Sequence, residues 1–273
     1  MSQIAWTGSS VVITALSSAP GFLGGGTLYY WWQAADTAAW HQETVATGSY
    51  YYPSLAWTGS SVVIIAMGDD GTLYYWWQAA DTAIWNQETV ATGVYGNPSI
   101  AWTGSSVVIT AVGSGSKLYY FWQAADTATW NQQTVATGSA SYNNPSIAWT
   151  GSSVVITAWN SDGTLYYWWQ AAGTATWNQQ TVATGSYISP SIAWTGSSVV
   201  ITAVDGNGNL YYWWQAAGMA TWNIQTVAIG IFSSPSIAWT GSSVVITAVD
   251  NYGNLYYWWQ AADTVTWNMQ MVG

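Results

Sequence analysis

The nonapeptide "AWTGSSVVI" (Ala5–Ile13) is written six times in this chain, with its tryptophan at Trp6, Trp57, Trp102, Trp149, Trp194 and Trp239. The steps between those tryptophans are 51, 45, 47, 45 and 45 residues. Self-similarity at such a period means that one supersecondary unit is used over and over, so the fold of the unit decides the fold of the chain. The long first step holds an insertion, "SSAPGFLGGG" (17–26), and the 47-residue step a longer linker, "SASYNNPS" (139–146). The copies run over about 1–52, 53–97, 98–144, 145–189, 190–234 and 235–273, and together they read as one domain, 1–273.

The fifth copy shows the unit most plainly. "SIAWTG" is a short apolar stretch closed by a turn, and "SVVITAV" is β-branched and suits a strand. "DGNGN" has the Gly/Asn/Asp composition of a hairpin turn that needs positive φ. "LYYWWQ" is a second run of strand formers, "AAGMAT" a connection, and "WNIQTVA" a fourth strand. Pro53, Pro98, Pro145, Pro190 and Pro235 stand in the linkers, where they are expected at the start of a strand. No apolar pattern of 3.6-residue period is long enough for a helix. Each copy therefore predicts four short antiparallel strands, twenty-four in all.

"LYYWWQ" is apolar on both of its faces, because alternate side chains of a strand point to opposite sides. Such a strand has to be sandwiched. Stacking the sheets radially in a closed ring gives every sheet a neighbour on each side, and the period matches a β-propeller, here an all-β six-bladed β-propeller with four antiparallel strands per blade. A β-trefoil would require the copies to alternate, which they do not, and an open solenoid would need polar end caps. The tight "TGSS" joins strands one and two, and the longest linker follows strand four. The "SIAW" strand is thus expected innermost and the "QTVA" strand outermost, with a second option in which the N-terminal strand pairs with the last blade.

On one face of such a ring the loops bring together the tryptophan closing strand one, the glutamine ending strand three and the tryptophan opening strand four. The residues are Trp6, Gln33 and Trp40; Trp57, Gln78 and Trp85; Trp102, Gln123 and Trp130. In the later copies they are Trp149, Gln170 and Trp177; Trp194, Gln215 and Trp222; Trp239, Gln260 and Trp267. His41 follows Trp40, and Asn86, Asn131, Asn178, Asn223 and Asn268 hold that place elsewhere. Indole rings stack on the C–H face of a pyranose, and amides both donate to and accept from hydroxyls, so this set suits sugar binding. The competing reading of a repeated tryptophan is a packing wedge. Asp36, Asp81, Asp126 and Asp263 lie in the same loop, where the fourth and fifth copies have Gly173 and Gly218. The opposite face offers Tyr50, Tyr95, Tyr142, Tyr187 and Phe232. There "DGNGN" (205–209) and "DNYGN" (250–254) faintly resemble calcium loops but lack the later bidentate glutamate, which leaves a plain turn.

Composition narrows the function. Lys117 is the only base against eleven carboxylates, a net charge of −10, so there is no basic patch for nucleic acid or for an anionic membrane. There is no cysteine and one histidine, His41, which excludes thiolate metal sites and leaves no room for repeated triads. No cofactor is expected. Glu43 and Glu88 form the one conceivable glycosidase pair, without a supporting motif. No signal peptide or run of about 18 apolar residues is visible, so the reading is a soluble protein made in the cytoplasm, with release by another route left open.

The unit "PSIAWTGSSVVITAV…NLYYWWQAA…TWNQQTVATG" resembles the repeats of bacterial β-propeller lectins, the PLL-like and tectonin-type group, over nearly the whole chain. The resemblance implies a ring that binds fucose or O-methylated sugars at or between its blades, and glycans or glycoconjugates as partners. Homo-oligomers are left open. It also implies up to six similar pockets here. A structural or protein-docking ring, natural or consensus-designed, is the alternative.

Overall fold

The computed structural model describes residues 2–7, 10–17, 25–33, 39–78, 84–123, 129–170, 174–215, 219–260 and 266–272. Among them every regular element is a β-strand, and every pairing is antiparallel between strands adjacent in sequence. The chain divides into two compact units, Met1–Thr137 and Gly138–Gly273.

In the first unit one sheet runs β1 (Ser2–Trp6), β2 (Val11–Leu16), β3 (Gly26–Gln33), β4 (Trp40–Trp57), β5 (Val62–Gly68), β6 (Leu73–Gln78) and β7 (Trp85–Ala91), in that spatial order. A second sheet holds β8 (Tyr95–Trp102), β9 (Val107–Gly113), β10 (Lys117–Gln123) and β11 (Trp130–Thr137). The second unit has three four-stranded sheets. The first of these is β12 (Tyr142–Trp149), β13 (Val154–Asn160), β14 (Leu165–Gln170) and β15 (Trp177–Ala183). The next is β16 (Ile188–Trp194), β17 (Val199–Val204), β18 (Leu210–Gln215) and β19 (Trp222–Ala228). The last is β20 (Phe232–Trp239), β21 (Val244–Asp250), β22 (Leu255–Gln260) and β23 (Trp267–Met271).

The four-stranded antiparallel unit is as expected, but the count of six separate blades is corrected. Five sheets are present, with twenty-three strands among the described residues, because the 18-residue β4 runs without interruption from the fourth strand of copy one into the first strand of copy two. It pairs with β3 through Trp40–Tyr50 and with β5 through Tyr50–Trp57. The other linkers carry a break at this point: Gly93 and Gly185 have φ near +145°, with a bend beside them. In β4 the equivalent Gly48 has a similar φ of 154° but stays in the strand, where Tyr50 pairs with Gly26.

The prolines also sit differently from the expectation. They lie inside the first strand of a unit, not at its start: Pro53 in β4, Pro98 in β8, Pro145 in β12, Pro190 in β16 and Pro235 in β20. Each marks a register shift, as between Tyr51 and Ser54 or between Gly96 and Ser99. The residue before each proline (Tyr52, Asn97, Asn144, Ser189, Ser234) is left-handed, with φ of 45–52°. A bulge takes the proline out of the ladder, so its missing N–H costs no hydrogen bond.

The two-sided strand is buried as its sequence demands. In the first unit Trp76 faces a cluster with Leu28, Tyr30 and Val45 of copy one, while Leu73 and Tyr75 face Ile109 and Phe121 of copy three. In the second unit Trp213 packs with Leu165 and Tyr167 on one side of its sheet, and Tyr212 with Ile246 and Trp258 on the other. Within each unit the core is thus a series of apolar seams between consecutive copies. The first strands are tied directly across seams: the Ser54, Ser146 and Ser191 hydroxyls accept from the N–H groups of Ile100, Ile192 and Ile237 at 3.3, 3.2 and 3.2 Å. Buried threonines lock the middle strands. Thr14, Thr110, Thr157 and Thr202 donate to the carbonyls of Tyr29, Tyr119, Tyr166 and Tyr211 at 2.8–3.0 Å. Copy two has Ile65 in that place, fully buried.

Candidate functional site

Antiparallel register sets the glutamine that ends strand three opposite the tryptophan that opens strand four. The pairs are Gln33 with Trp40, Gln78 with Trp85, Gln123 with Trp130, Gln170 with Trp177, Gln215 with Trp222 and Gln260 with Trp267. Such a pair presents two side-chain donors at one end of its sheet. Across the seam, the preceding copy supplies an acceptor. Gln78 Nε2 and Trp85 Nε1 both donate to Glu43 Oε2, at 2.9 and 3.2 Å. Gln123 Nε2 and Trp130 Nε1 both donate to Glu88 Oε2, at 3.0 and 3.3 Å. In the second unit Gln260 Nε2 and Trp267 Nε1 donate to Gln225 Oε1 at 3.1 and 3.2 Å.

The fourth such node is built differently. Gln180 Oε1 accepts from Gln215 Nε2 at 3.0 Å, but the Gln180 amide nitrogen turns to the carbonyl of Ala220. Trp222 Nε1 is left buried with no hydrogen-bond partner.

Aromatic rings enclose these nodes. The strand-three tyrosine lies directly opposite the acceptor in the ladder, Tyr30 against Glu43 and Tyr75 against Glu88. Tyr30 stacks on Trp32 at 5.4 Å and meets Trp85 edge-on at 5.4 Å. Tyr75 repeats this with Trp77 and Trp130, Tyr167 with Trp169 and Trp222, and Tyr212 with Trp214 and Trp267. The tyrosines are buried, while Trp32, Glu43, Gln78 and Trp85 are only half-buried, so each node opens toward solvent on one side. Burial pushes the Tyr30 hydroxyl up to about 12, with the Glu43 charge adding to it. Burial and then the Glu88 charge raise Tyr75 in the same way.

The expected site residues divide. The strand-three glutamines and strand-four tryptophans of copies two, three, five and six converge on the nodes. Gln33, Gln170 and Trp177 are half-buried, and Trp40 is 48% exposed. The strand-one tryptophans do not join them. Trp57, Trp102 and Trp194 pack against the apolar seams, Trp149 is half-buried, Trp239 is exposed, and the Trp6 side chain lies outside the described residues. Asn131, Asn178, Asn223 and Asn268 donate to the backbone carbonyls of Trp122, Trp169, Trp214 and Trp259 at 3.4–3.5 Å, pinning neighbouring strands. Asn86 is half-buried opposite Trp77, and His41 stacks on Trp32 at 5.0 Å. Asp36, Asp81, Asp126, Asp263, Gly173 and Gly218 lie outside the described residues.

The remaining candidates are structural. Tyr50, Tyr95, Tyr142, Tyr187 and Phe232 stand edge-on against Trp76, Phe121, Trp168, Trp213 and Trp258 at 4.9–5.5 Å. The Asp205 and Asp250 carboxylates accept from the N–H groups of their own turns, including Asn209 and Asn254. Among the described residues no cluster of three or more metal-ligating side chains occurs. Glu43 and Glu88 are bonded to separate Gln–Trp pairs in separate seams. The acceptors at 43, 88, 180 and 225 were not expected as part of the binding set. Their signal in the sequence is a Glu or Gln three residues after each strand-four tryptophan.

No protein-family model and no curated protein sequence matches this chain. Solved structures do. The BP39L lectin of Burkholderia pseudomallei superposes with a TM-score of 0.78 at 14% identity, over 95% of this chain and 79% of that one. AofleA of Arthrobotrys oligospora gives 0.72 at 12% identity, over 99% and 85%. The Aleuria aurantia lectin, described as a six-bladed β-propeller with a novel fucose recognition mode, gives 0.68 at 11%, over 99% and 94%. This likeness establishes the fold: the chain is a β-propeller of four-stranded antiparallel units. Among the described residues no helix is long and apolar enough to cross a membrane.

Proposed function

We propose that this chain is a multivalent carbohydrate-binding propeller, a lectin whose repeated weak sites lie at the seams between copies. The observation that carries the reading is the recurrence, at four described seams, of half-exposed tryptophan beside a polar acceptor and an amide donor. Aromatic faces with a few convergent polar groups are what a small-molecule site requires. The solved lectins of like fold are in keeping with it, one of them named for fucose recognition. Neutral sugars such as fucose or methylated glycans are the proposed ligands, in line with the PLL-like and tectonin-type repeat pattern. Several weak sites on one scaffold gain avidity on a glycan-covered surface without any new contact. In this reading 1–273 acts as one domain, the strand-three glutamines and strand-four tryptophans touch sugar, and the strand-one tryptophans and the asparagines position them.

A second reading has its own support. The node amides and indoles already bond to protein groups, as they would in a scaffold that binds no sugar. A glycan array with the folded chain separates the two. The lectin reading expects binding that weakens at least tenfold in a Trp85→Ala/Trp130→Ala/Trp267→Ala variant. A blank array favours the scaffold.

A further inference from the structure

We infer that the two seams carrying a carboxylate, at Glu43 and Glu88, take a ligand bearing a protonated amine, so that among sugars they select amino sugars over neutral ones. The inference rests on the lectin reading for its sugar and on the seam geometry for its charge.

The second unit shows that the lock itself needs no charge. Gln225 Oε1 accepts from Gln260 and Trp267 at 3.1 and 3.2 Å, nearly the distances that Glu43 Oε2 keeps to Gln78 and Trp85. The negative charge at Glu43 and Glu88 is therefore surplus to the structural task. It is also costly, because a half-buried carboxylate served only by neutral donors loses hydration without gaining a counter-charge. Both donors reach the same oxygen in each seam, and a carboxylate has about four acceptor positions over its two oxygens.

Beyond His41, which stands two residues from Glu43 in β4, the chain has little cationic charge to offer. Lys117, the only lysine or arginine, begins β10, whereas Gln123, the donor to Glu88, ends it. At about 3.3 Å per residue that is roughly 20 Å away. Trp85 and Trp130 stand beside the carboxylates with their N–H edges toward them, and both are half-exposed. A net charge of −10 draws cations toward the whole surface. The two seams differ in one neighbour: His41 lies against Trp32 in the first, and Asn86 holds the matching place in the second.

The test is calorimetric titration of the full chain with glucosamine, N-acetylglucosamine, glucose and ethanolamine, at a pH where the amines are protonated. The expected result is glucosamine binding about tenfold tighter than N-acetylglucosamine, a margin that shrinks with added salt. A Glu43→Gln/Glu88→Gln variant loses the preference. It is expected to fold, because glutamine already serves at 180 and 225, and near-ultraviolet circular dichroism checks this. Gln225→Glu is expected to add a further amine-preferring site. Equal affinity for glucosamine and its N-acetyl form, or a preference that survives the double variant, overturns the inference and leaves the lectin reading standing. Glutamate-dependent binding of ethanolamine without any sugar binding overturns the lectin reading and upholds the cation seam. Silence from all four ligands overturns the inference, and the lectin reading falls with it only if the glycan array is blank as well.

Discussion

The seams of the two units perform one task with different chemistry. In Met1–Thr137 two of the three acceptor positions hold carboxylates, Glu43 and Glu88, and Gln133 holds the third; in Gly138–Gly273 the acceptors are amides, Gln180 and Gln225. A carboxylate can only accept, so it holds the glutamine amide and the tryptophan indole on one oxygen. An amide has a donor end as well. At Gln225 that end does not disturb the lock, but at Gln180 it is captured by the Ala220 carbonyl, and Trp222 loses its partner. Charge thus fixes the polarity of a seam, and neutrality permits a second arrangement.

The apolar floor of the seams is common to both units, and here the comparison should vanish. Trp76→Ala and Trp213→Ala each remove a ring that is 1% exposed and should each destabilise by about 3–5 kcal/mol in chemical denaturation. A large inequality between the two would mean that the units are not equivalent in their cores.

High pH should also reach both units together. The hydroxyls of Tyr30, Tyr120 and Tyr212 are pushed by burial up to about 12, and those of Tyr75 and Tyr167 are raised as well. The unfolded chain releases these protons near pH 10. The folded state therefore binds more protons between about pH 10 and 12, and stability that is complete below that window is lost as pH rises through it. Thermal melting followed from pH 8 to 12 should show a steep fall confined to the alkaline end.

The polar comparison is sharpened by removing the indole N–H, with the loss of ring volume common to both variants. Trp85→Phe strips a donor from the Glu43 carboxylate and should cost about 1–2 kcal/mol. Trp222→Phe removes a buried group that has no partner, so its polar contribution should be neutral or favourable by about 1 kcal/mol. Equal losses in the two variants would show that the Gln180 node is closed like the others in solution. The smallest expected effect concerns the linkers. Tyr52 adopts φ 51° where copies two and three place Asn97 and Asn144, so Tyr52→Asn should stabilise by about 1 kcal/mol.

The repeat and its four strands were legible because they are local. "SVVITAV" and "LYYWWQ" carry strand composition and a two-sided apolar pattern, and both are strands in every copy. The continuity of β4 was not legible, since "ATGSYYYPS" reads like the other glycine-proline linkers and its glycine has nearly the same φ; what differs is the pairing of Tyr50 with Gly26, at the end of the copy-one insertion. The prolines misled for a related reason. A left-handed residue before each one makes a bulge, and no residue type requires it: tyrosine, asparagine and serine all serve. The nodes were half legible. Gln78 and Trp85 stood out as a repeated pair, but their acceptor Glu43 lies 35 and 42 residues earlier, beyond the reach of any local pattern. The asparagines looked like open forks for hydroxyls, and only the register reveals the backbone carbonyls opposite them.

The most direct test of sugar binding at the seams is the indole N–H spectrum of the chain with nitrogen-15 label, titrated with a fucosylated glycan. The account predicts that the signals of Trp85, Trp130, Trp222 and Trp267 all shift by saturation, those of Trp222 and Trp267 first, while those of Trp57, Trp102 and Trp194 stay in place. Movement confined to the strand-one tryptophans, or no movement at saturating glycan, would contradict it.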